Sequence, residues 1–332
     1  MICTPRDDRR LRKTIRFRRL LSCAVLLAVT ALLFTAAPAA AAGTPVDRER
    51  YEPAVAAMLA EINETELWNT TYDLQEIPTR VYGTEGNREA GEYLYRRFSE
   101  TPGLTVEFQG GDLRNVVATL PGSGRTAGEI VVVGAHYDST SSDPDRAPGA
   151  TDNGCGVAIV LELARVMSQH SFDRTVQFVL WNAEEDGRNG SIAYAEDARN
   201  RSAPVVLYFN YDSACHDPES RSVLDIVHDE RSGNIAELMA DRNIRYGINF
   251  TLTENSHTCT SDHLPFRDRG FPTVTTHCEE HGPAHTPDDT IEHVSFEYAA
   301  KNARLGLSAL SEAAGLRDGM VEYAVSKGPA AG

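Results

Sequence analysis

The sequence predicts an α/β protein, a mostly parallel sheet with helices on both faces, from three observations. Ile130–Ala135, Val176–Trp181 and Val205–Phe209 are apolar runs rich in β-branched or aromatic residues, as in strands buried on both faces. Segments with helical periodicity alternate with such runs, the order that makes a parallel sheet with crossover helices. Acids and imidazoles stand just beyond the runs or at the turns that follow, where open α/β sheets bind ligands. They are His136, Asp152, Glu185, Asp212 and His285, with Glu184 beside the third.

Taken in order, residues 46–66 and 84–100 read as helices. In the second, Ala90, Tyr93, Leu94 and Phe98 recur on one face. Residues 114–120 and 129–135 read as strands joined by the turn at Pro121–Gly124. Residues 157–167 are apolar almost all round, so that helix is expected to be buried. Strand 175–181, helix 189–199, strands 204–210 and 222–228, and helix 232–242 follow. A short helix near 262–269, strand 271–276 and a closing helix 295–314 complete the body. The chain from about Leu316 reads as a loose tail.

The first 19 residues carry eight basic side chains against Asp7 and Asp8, Leu20–Ala37 is almost wholly apolar or small, and Ala39–Ala42 offers a cleavage site. That order is expected of a secretory signal, which places the protein outside the cell. An uncleaved anchor is the other reading, against which the apolar stretch is short for a span of roughly 20 residues. Arg18 and Arg19 before the apolar stretch suggest twin-arginine export without separating it from the general route. The expected organisation is a signal peptide over 1–42, one domain over 43–315, and the tail over 316–332. Without residues 1–42 the chain keeps 24 basic and 46 acidic side chains, a formal charge of −22. Such a surface repels nucleic acid and anionic lipid, so neither is expected as a partner, nor is stable membrane association after cleavage. A monomer is favoured.

Four cysteines remain after cleavage, an even number in an oxidising compartment. Cys155 follows Asp152 by three residues and Cys215 follows Asp212 by three, so shared metal binding by the aspartates would bring the thiols together. The expected pairs are Cys155–Cys215 and Cys259–Cys278. Thiolate zinc ligation is the competing reading, although no C-x-x-C pair is present.

Each candidate ligand has a plainer reading by itself: Asp152 as a helix cap, the Glu pair as a solvated loop, either histidine as structural. Their joint occurrence points to divalent cations. Neighbouring carboxylates after a core strand are costly unless something positive holds them. Two divalent ions are neutralised by Asp152, Glu185, Asp212 and one hydroxide, which keeps the cluster affordable in a partly dry cleft. Two imidazoles with three carboxylates suit zinc and admit cobalt or manganese. Such a pair, ~3.5–4 Å apart, lowers the pKa of a shared water and clamps the attacked carbonyl. Glu184 would then take the proton from that water and pass it to the leaving amine. Asp138 is expected to brace the His136 ring and Asp289 the His285 ring, as carboxylates behind metal-bound imidazoles do.

The motifs G-A-H-Y-D-S (134–139), G-A-T-D-N-G (149–154), W-N-A-E-E-D-G (181–187), N-Y-D (210–212), S-D-H-L-P-F (261–266) and H-T-P-D-D-T (285–290) follow one another in the order of a known family. The chain resembles the di-zinc aminopeptidases of metallopeptidase family twenty-eight, whose relatives include glutamate carboxypeptidases and glutaminyl cyclases. The likeness covers roughly residues 75–314 and includes Thr79–Gly86. It implies a three-layer α/β/α sandwich around a mixed, mainly parallel sheet, and a peptide or protein substrate. It implies that Asp152 bridges two zinc ions, that His136 and Asp212 complete one and Glu185 and His285 the other, and that Glu184 is the general base. It also implies a cis Asp152–Asn153 peptide. One position departs: many relatives carry a Tyr directly before the last His ligand, donating to the oxyanion, whereas this chain has Ala284. Losing such a donor costs about 2.7–4 kcal/mol of barrier. His281 is the expected replacement, with His277 and Tyr137 as weaker candidates.

The leading reading is a secreted exopeptidase acting at N-termini, since an acidic cleft holding Glu184 and Asp212 suits an ammonium group. A carboxypeptidase would want Arg267 or Arg269 aimed at a terminal carboxylate. A glutaminyl cyclase and a non-catalytic binding homologue are the remaining alternatives. Glu279 and Glu280 are read as facing water.

Overall fold

Ile130–His136 (β3), Thr175–Trp181 (β4) and Val205–Tyr211 (β5) lie side by side as parallel strands at the heart of one eight-stranded sheet. Their buried apolar side chains alternate between two cores. Val131, Val133 and Ala135 join the larger one, while Val132 joins the smaller. Such strands have no solvent face, which is why they read as continuous apolar runs. At Gly134 an added Cβ would stand 2.6 Å from Trp181 Nε1, so the indole crosses the strand only because that position lacks a side chain.

The computed structural model describes residues 4–5, 48–255, 257–258, 260–278 and 282–318. Thr4–Pro5 and His257–Thr258 form a separate two-stranded pair. The remaining strands of the main sheet are Thr105–Gln109 (β1), Asn115–Leu120 (β2), Val223–His228 (β6), Thr251–Glu254 (β7) and Thr273–Cys278 (β8), in the order β1-β2-β4-β3-β5-β8-β6-β7. The β4/β3, β3/β5, β5/β8 and β6/β7 pairs are parallel, and β1/β2, β2/β4 and β8/β6 are antiparallel. Helices Arg48–Ala60 (α1), Glu64–Gln75 (α2), Glu85–Ser99 (α3), Cys155–Met167 (α4), Gly233–Arg245 (α6) and Phe296–Ala314 (α8) bury residues in the larger core. Asn189–Asn200 (α5) and His263–Asp268 (α7) bury theirs in the smaller one. The architecture is α/β, with helices on both sides of a mixed sheet. All of α4 is buried except Arg165.

Several expectations need correction. The helix expected over 46–66 is two helices, because the Asn63 side chain accepts the Thr65 N–H and starts a second one that runs to Gln75. The strands joined by Pro121–Gly124 are not neighbours, since β4 lies between β2 and β3 and makes the ladder with each. Two strands near the sheet margins, β1 and β7, were missed; their partly exposed, polar-interrupted stretches carry little of the apolar signal that marks a central strand. Leu316 is buried and bridges Phe172, and Arg317 pairs with Asp173, so the folded body extends past the expected start of the tail. The residues from 319 onward and the expected signal peptide, apart from Thr4–Pro5, lie outside the described residues.

Candidate active site

Five loops at the carboxyl ends of the central strands, or packed against them, bring the candidate residues together. His136 closes β3, and its Nε2 stands 3.1 Å from Asp152 Oδ1 and 3.6 Å from Asp212 Oδ1. Asp152 lies in the turn Ala150–Gly154 ahead of α4, where its peptide bond to Asn153 is cis. Its second oxygen, Oδ2, stands 3.1 Å from His285 Nε2, which is also 3.1 Å from Glu185 Oε1. One carboxylate therefore spans two imidazoles. Glu184 and Glu185 sit in the turn after β4, where Ala183, Gly187 and Arg188 take left-handed φ values of 57°, 107° and 64°. Asn182 shapes that turn by accepting the Ala183 N–H and by a reciprocal amide pair with Asn87.

Asp138 stands behind the His136 ring as expected, whereas Asp289 serves a different group. His136 Nδ1 meets the main-chain carbonyl of Asp138 at 3.1 Å, closer than the Asp138 carboxylate at 3.6 Å. That carboxylate also accepts the N–H groups of Glu184 (3.0 Å) and Glu185 (3.1 Å), fixing the acidic turn. Asp289 does not brace the His285 ring. Its oxygens accept the N–H of Thr151 (2.8 Å), the hydroxyl of Thr151 (2.6 Å) and the N–H of Asp152 (3.1 Å). Both carboxylates hold main chain, and Asp138 also keeps within ion-pair distance of the His136 ring.

The electrostatics describe a cluster that wants positive charge. Burial opposes charging His136, yet bonds to Asp138, Asp152 and Asp212 outweigh it and hold its pKa well above the ordinary value. His285 is pushed up to about 10 by Asp152 and Glu185. Burial raises Asp152, but hydrogen bonds to the two imidazoles hold it well below the usual carboxylate range. Glu184 goes the other way: burial, with Asp262, Asp212 and Glu185 nearby, raises it well above that range. Among the described residues no side chain or N–H group donates to its carboxyl.

The donor set fits divalent metal. One donor atom each from His136, Asp152 and Glu185 lies within 4.8 Å of the others. Two donors on one tetrahedral zinc, each ~2.0–2.1 Å from the ion, stand ~3.3–3.4 Å apart, close to the 3.1 and 3.6 Å contacts here. With Nδ1 of His136 directed at a carbonyl, Nε2 is the ring nitrogen that faces the Asp152 carboxylate, and a cation between them would take the place of the proton it carries there.

The Cys155–Cys215 disulfide is present, tying the start of α4 to the loop after β5. Cys278 is buried with Sγ 2.5 Å from the Ser213 carbonyl oxygen, and its expected partner Cys259 lies outside the described residues, as do Glu279, Glu280 and His281. Tyr137 is buried with its hydroxyl donated to the Arg114 carbonyl, and His277 is buried in β8 with Nδ1 3.2 Å from the Asp212 carbonyl. Arg267 pairs with Asp268, and Arg269 with Glu196 and the Pro265 carbonyl.

Sequence reading gave no role to three buried polar residues. Asn210 donates to Ser261 at 3.0 Å, and Ser261 helps to hold the Asp212 pKa down. Asp262 accepts the Ser191 hydroxyl, and burial pushes its pKa up to about 7. Their signal was their place in the N-Y-D and S-D-H-L-P-F motifs, as polar residues inside an apolar strand and at a short helix start. Arg80, inside the Thr79–Gly86 motif, was likewise passed over.

Peptidase family M28 matches the chain over residues 115–310. The chain is similar to a probable leucine aminopeptidase of Trichophyton verrucosum, 28% identical over 280 residues covering 78% of this chain and 75% of the relative. It is similar in fold to LapB of Legionella pneumophila, with a TM-score of 0.72, 23% identity, and coverage of 80% of this chain and 75% of that one. It is also similar to BSAP, a zinc aminopeptidase from Bacillus subtilis, with a TM-score of 0.53, 30% identity, and coverage of 60% and 50%.

Proposed function

This chain belongs to Peptidase family M28 and is a metallopeptidase, and from that premise we propose that it is an exported aminopeptidase using water activated between two zinc ions. The observation that carries this reading is Asp152, with one oxygen 3.1 Å from His136 and the other 3.1 Å from His285. A carboxylate so placed suits a bridge between two ions, with His136 and Asp212 on one side and Glu185 and His285 on the other. Cobalt and manganese fit the same donors.

Bound there, the ions would lower the pKa of a shared water and polarise the scissile carbonyl. The chain's own part is proton traffic and placement. The Glu184 carboxylate accepts a proton from the attacking water. It then donates that proton to the departing amine, so the peptide C–N bond breaks with no net change at Glu184. Its lack of a hydrogen-bond donor among the described residues leaves it available for that exchange, and nearby positive charge would lower its raised pKa. The acidic groups around it favour a substrate's N-terminal ammonium. Arg267 and Arg269 have other partners, which weakens the carboxypeptidase alternative.

Export is supported by the leader read over residues 1–42 and by the Cys155–Cys215 bond, of a kind that persists in oxidising compartments. Among the described residues no helix is long and apolar enough to cross a membrane.

The test is a panel of chromogenic aminoacyl anilides and their N-blocked counterparts, with and without chelator. Hydrolysis of free-amine substrates that stops on chelation and returns with zinc supports the reading. Cleavage of blocked substrates, or indifference to chelator, would end it.

A further inference from the structure

We propose that Arg80 is a positioning residue that assembles the His136–Asp152 half of the metal site from behind, before any metal binds; this rests on the metal reading above. Arg80 is 0% exposed, yet among the described residues no carboxylate pairs with its guanidinium. Its donors go to four main-chain carbonyls: Nε to Tyr137 (2.8 Å), Nη1 to Leu74 (3.1 Å) and Pro148 (2.5 Å), and Nη2 to Gly149 (2.9 Å). Tyr137 is the residue after His136, and Pro148–Gly149 lead directly into the turn that carries Asp152. The Arg80 main chain adds to the tie. Its N–H donates to Ser139 Oγ, while its carbonyl accepts the Ser139 N–H and the Asn87 amide.

The chemistry requires arginine at this place. A planar fork with donors fixed in direction can hold three chain segments at once, which the single ammonium of lysine cannot. The contact is close as well: a Cβ at Gly149, whose φ is 53°, would stand 3.0 Å from Nη2. Burial lowers the Arg80 pKa to about 10, with Asp289, Asp138 and Asp152 pulling the other way, so the group stays charged at neutral pH. A buried, unpaired cation is expensive, and its carbonyl partners with the carboxylates beyond them offset that cost. Because the fork is built from protein groups alone, the 3.1 Å approach of His136 to Asp152 does not wait for a metal.

Position and charge predict opposite results, which makes the proposal testable. A cation beside a metal site repels the metal, so a purely electrostatic role predicts tighter zinc binding in Arg80→Met and no change in Arg80→Lys. A positioning role predicts weaker binding in both, by roughly 10–100-fold. Zinc affinity of the metal-stripped full chain is measured by competition with a chromophoric chelator, alongside circular dichroism and kcat and KM of the reloaded enzyme. Affinities within twofold of wild type in folded variants, or tighter binding in Arg80→Met, would overturn the proposal. Wild-type protein that takes up no zinc would instead defeat the reading of the site. Should neither variant fold, the slowly exchanging Nε–H signal of Arg80 in wild-type protein decides by NMR. It is expected with and without zinc, and its appearance only with zinc would overturn metal-independent assembly.

Discussion

Asp289 holds Asp152 by its main chain, with Oδ2 accepting the Asp152 N–H at 3.1 Å while Oδ1 takes both donors of Thr151. The two acids are 137 residues apart in the chain. The contact fixes the turn from which Asp152 reaches both imidazoles.

Asp289→Asn follows from that contact. An amide replaces one acceptor oxygen with a donor that faces an N–H group, so the Asp152 turn loosens. Zinc affinity and kcat/KM are expected to fall roughly 10–100-fold in a protein of native secondary structure. Chelator competition checks this, and wild-type affinity would show that the turn holds itself.

Glu184→Gln is expected to lower kcat by about 10²–10⁴-fold with zinc content unchanged. Since burial and neighbouring carboxylates raise the Glu184 pKa, the neutral amide is expected to leave the thermal stability of the metal-stripped protein equal or higher. Steady-state kinetics with elemental analysis test both parts; near-normal kcat would remove Glu184 from the chemistry.

Cys155→Ser combined with Cys215→Ser opens a bond that spans 60 residues of sequence. A loss of about 2–4 kcal/mol in denaturant unfolding is expected. Zinc binding is expected to weaken as well, because the bond joins the loops of Asp152 and Asp212. Unchanged zinc affinity in the less stable protein would confine the bond to a stabilising role.

His263 gives a prediction in pH. Burial first, then the charge of Arg267, lowers its pKa to about 3 from 6.5. Below pH 6.5 the unfolded chain binds a proton that the folded chain refuses, so this group removes stability progressively as pH falls from 6.5 to about 3. Asp262 beside it works in the opposite sense, its pKa being raised from 3.8 to about 7. The readout is therefore the difference between wild type and His263→Leu, unfolded at matched zinc across that window. The variant is expected to gain relative stability toward acid, and parallel curves would contradict the assignment.

Much of the fold was legible because burial is a local property of composition. The runs at β3, β4 and β5 have no polar face, and that alone marks strands covered on both sides. Marginal strands such as Thr105–Gln109 and Thr251–Glu254 lack the signal because they are only partly covered. The order of strands was not legible, since inserting β4 between β2 and β3 depends on pairing between distant segments.

From the sequence alone came the inventory of the site: which acids and imidazoles stand beyond which strands, and that the Glu184–Glu185 pair needs a nearby positive charge. Only the tertiary structure decided how each is held. Asp138 grips the turn of the Glu pair, Asp289 the turn of Asp152, and Arg80 the chain leaving His136. The reason is physical. A strand is specified by the residues within it, whereas a bracing hydrogen bond is specified by whichever donor and acceptor the packed chain brings within about 3 Å of each other.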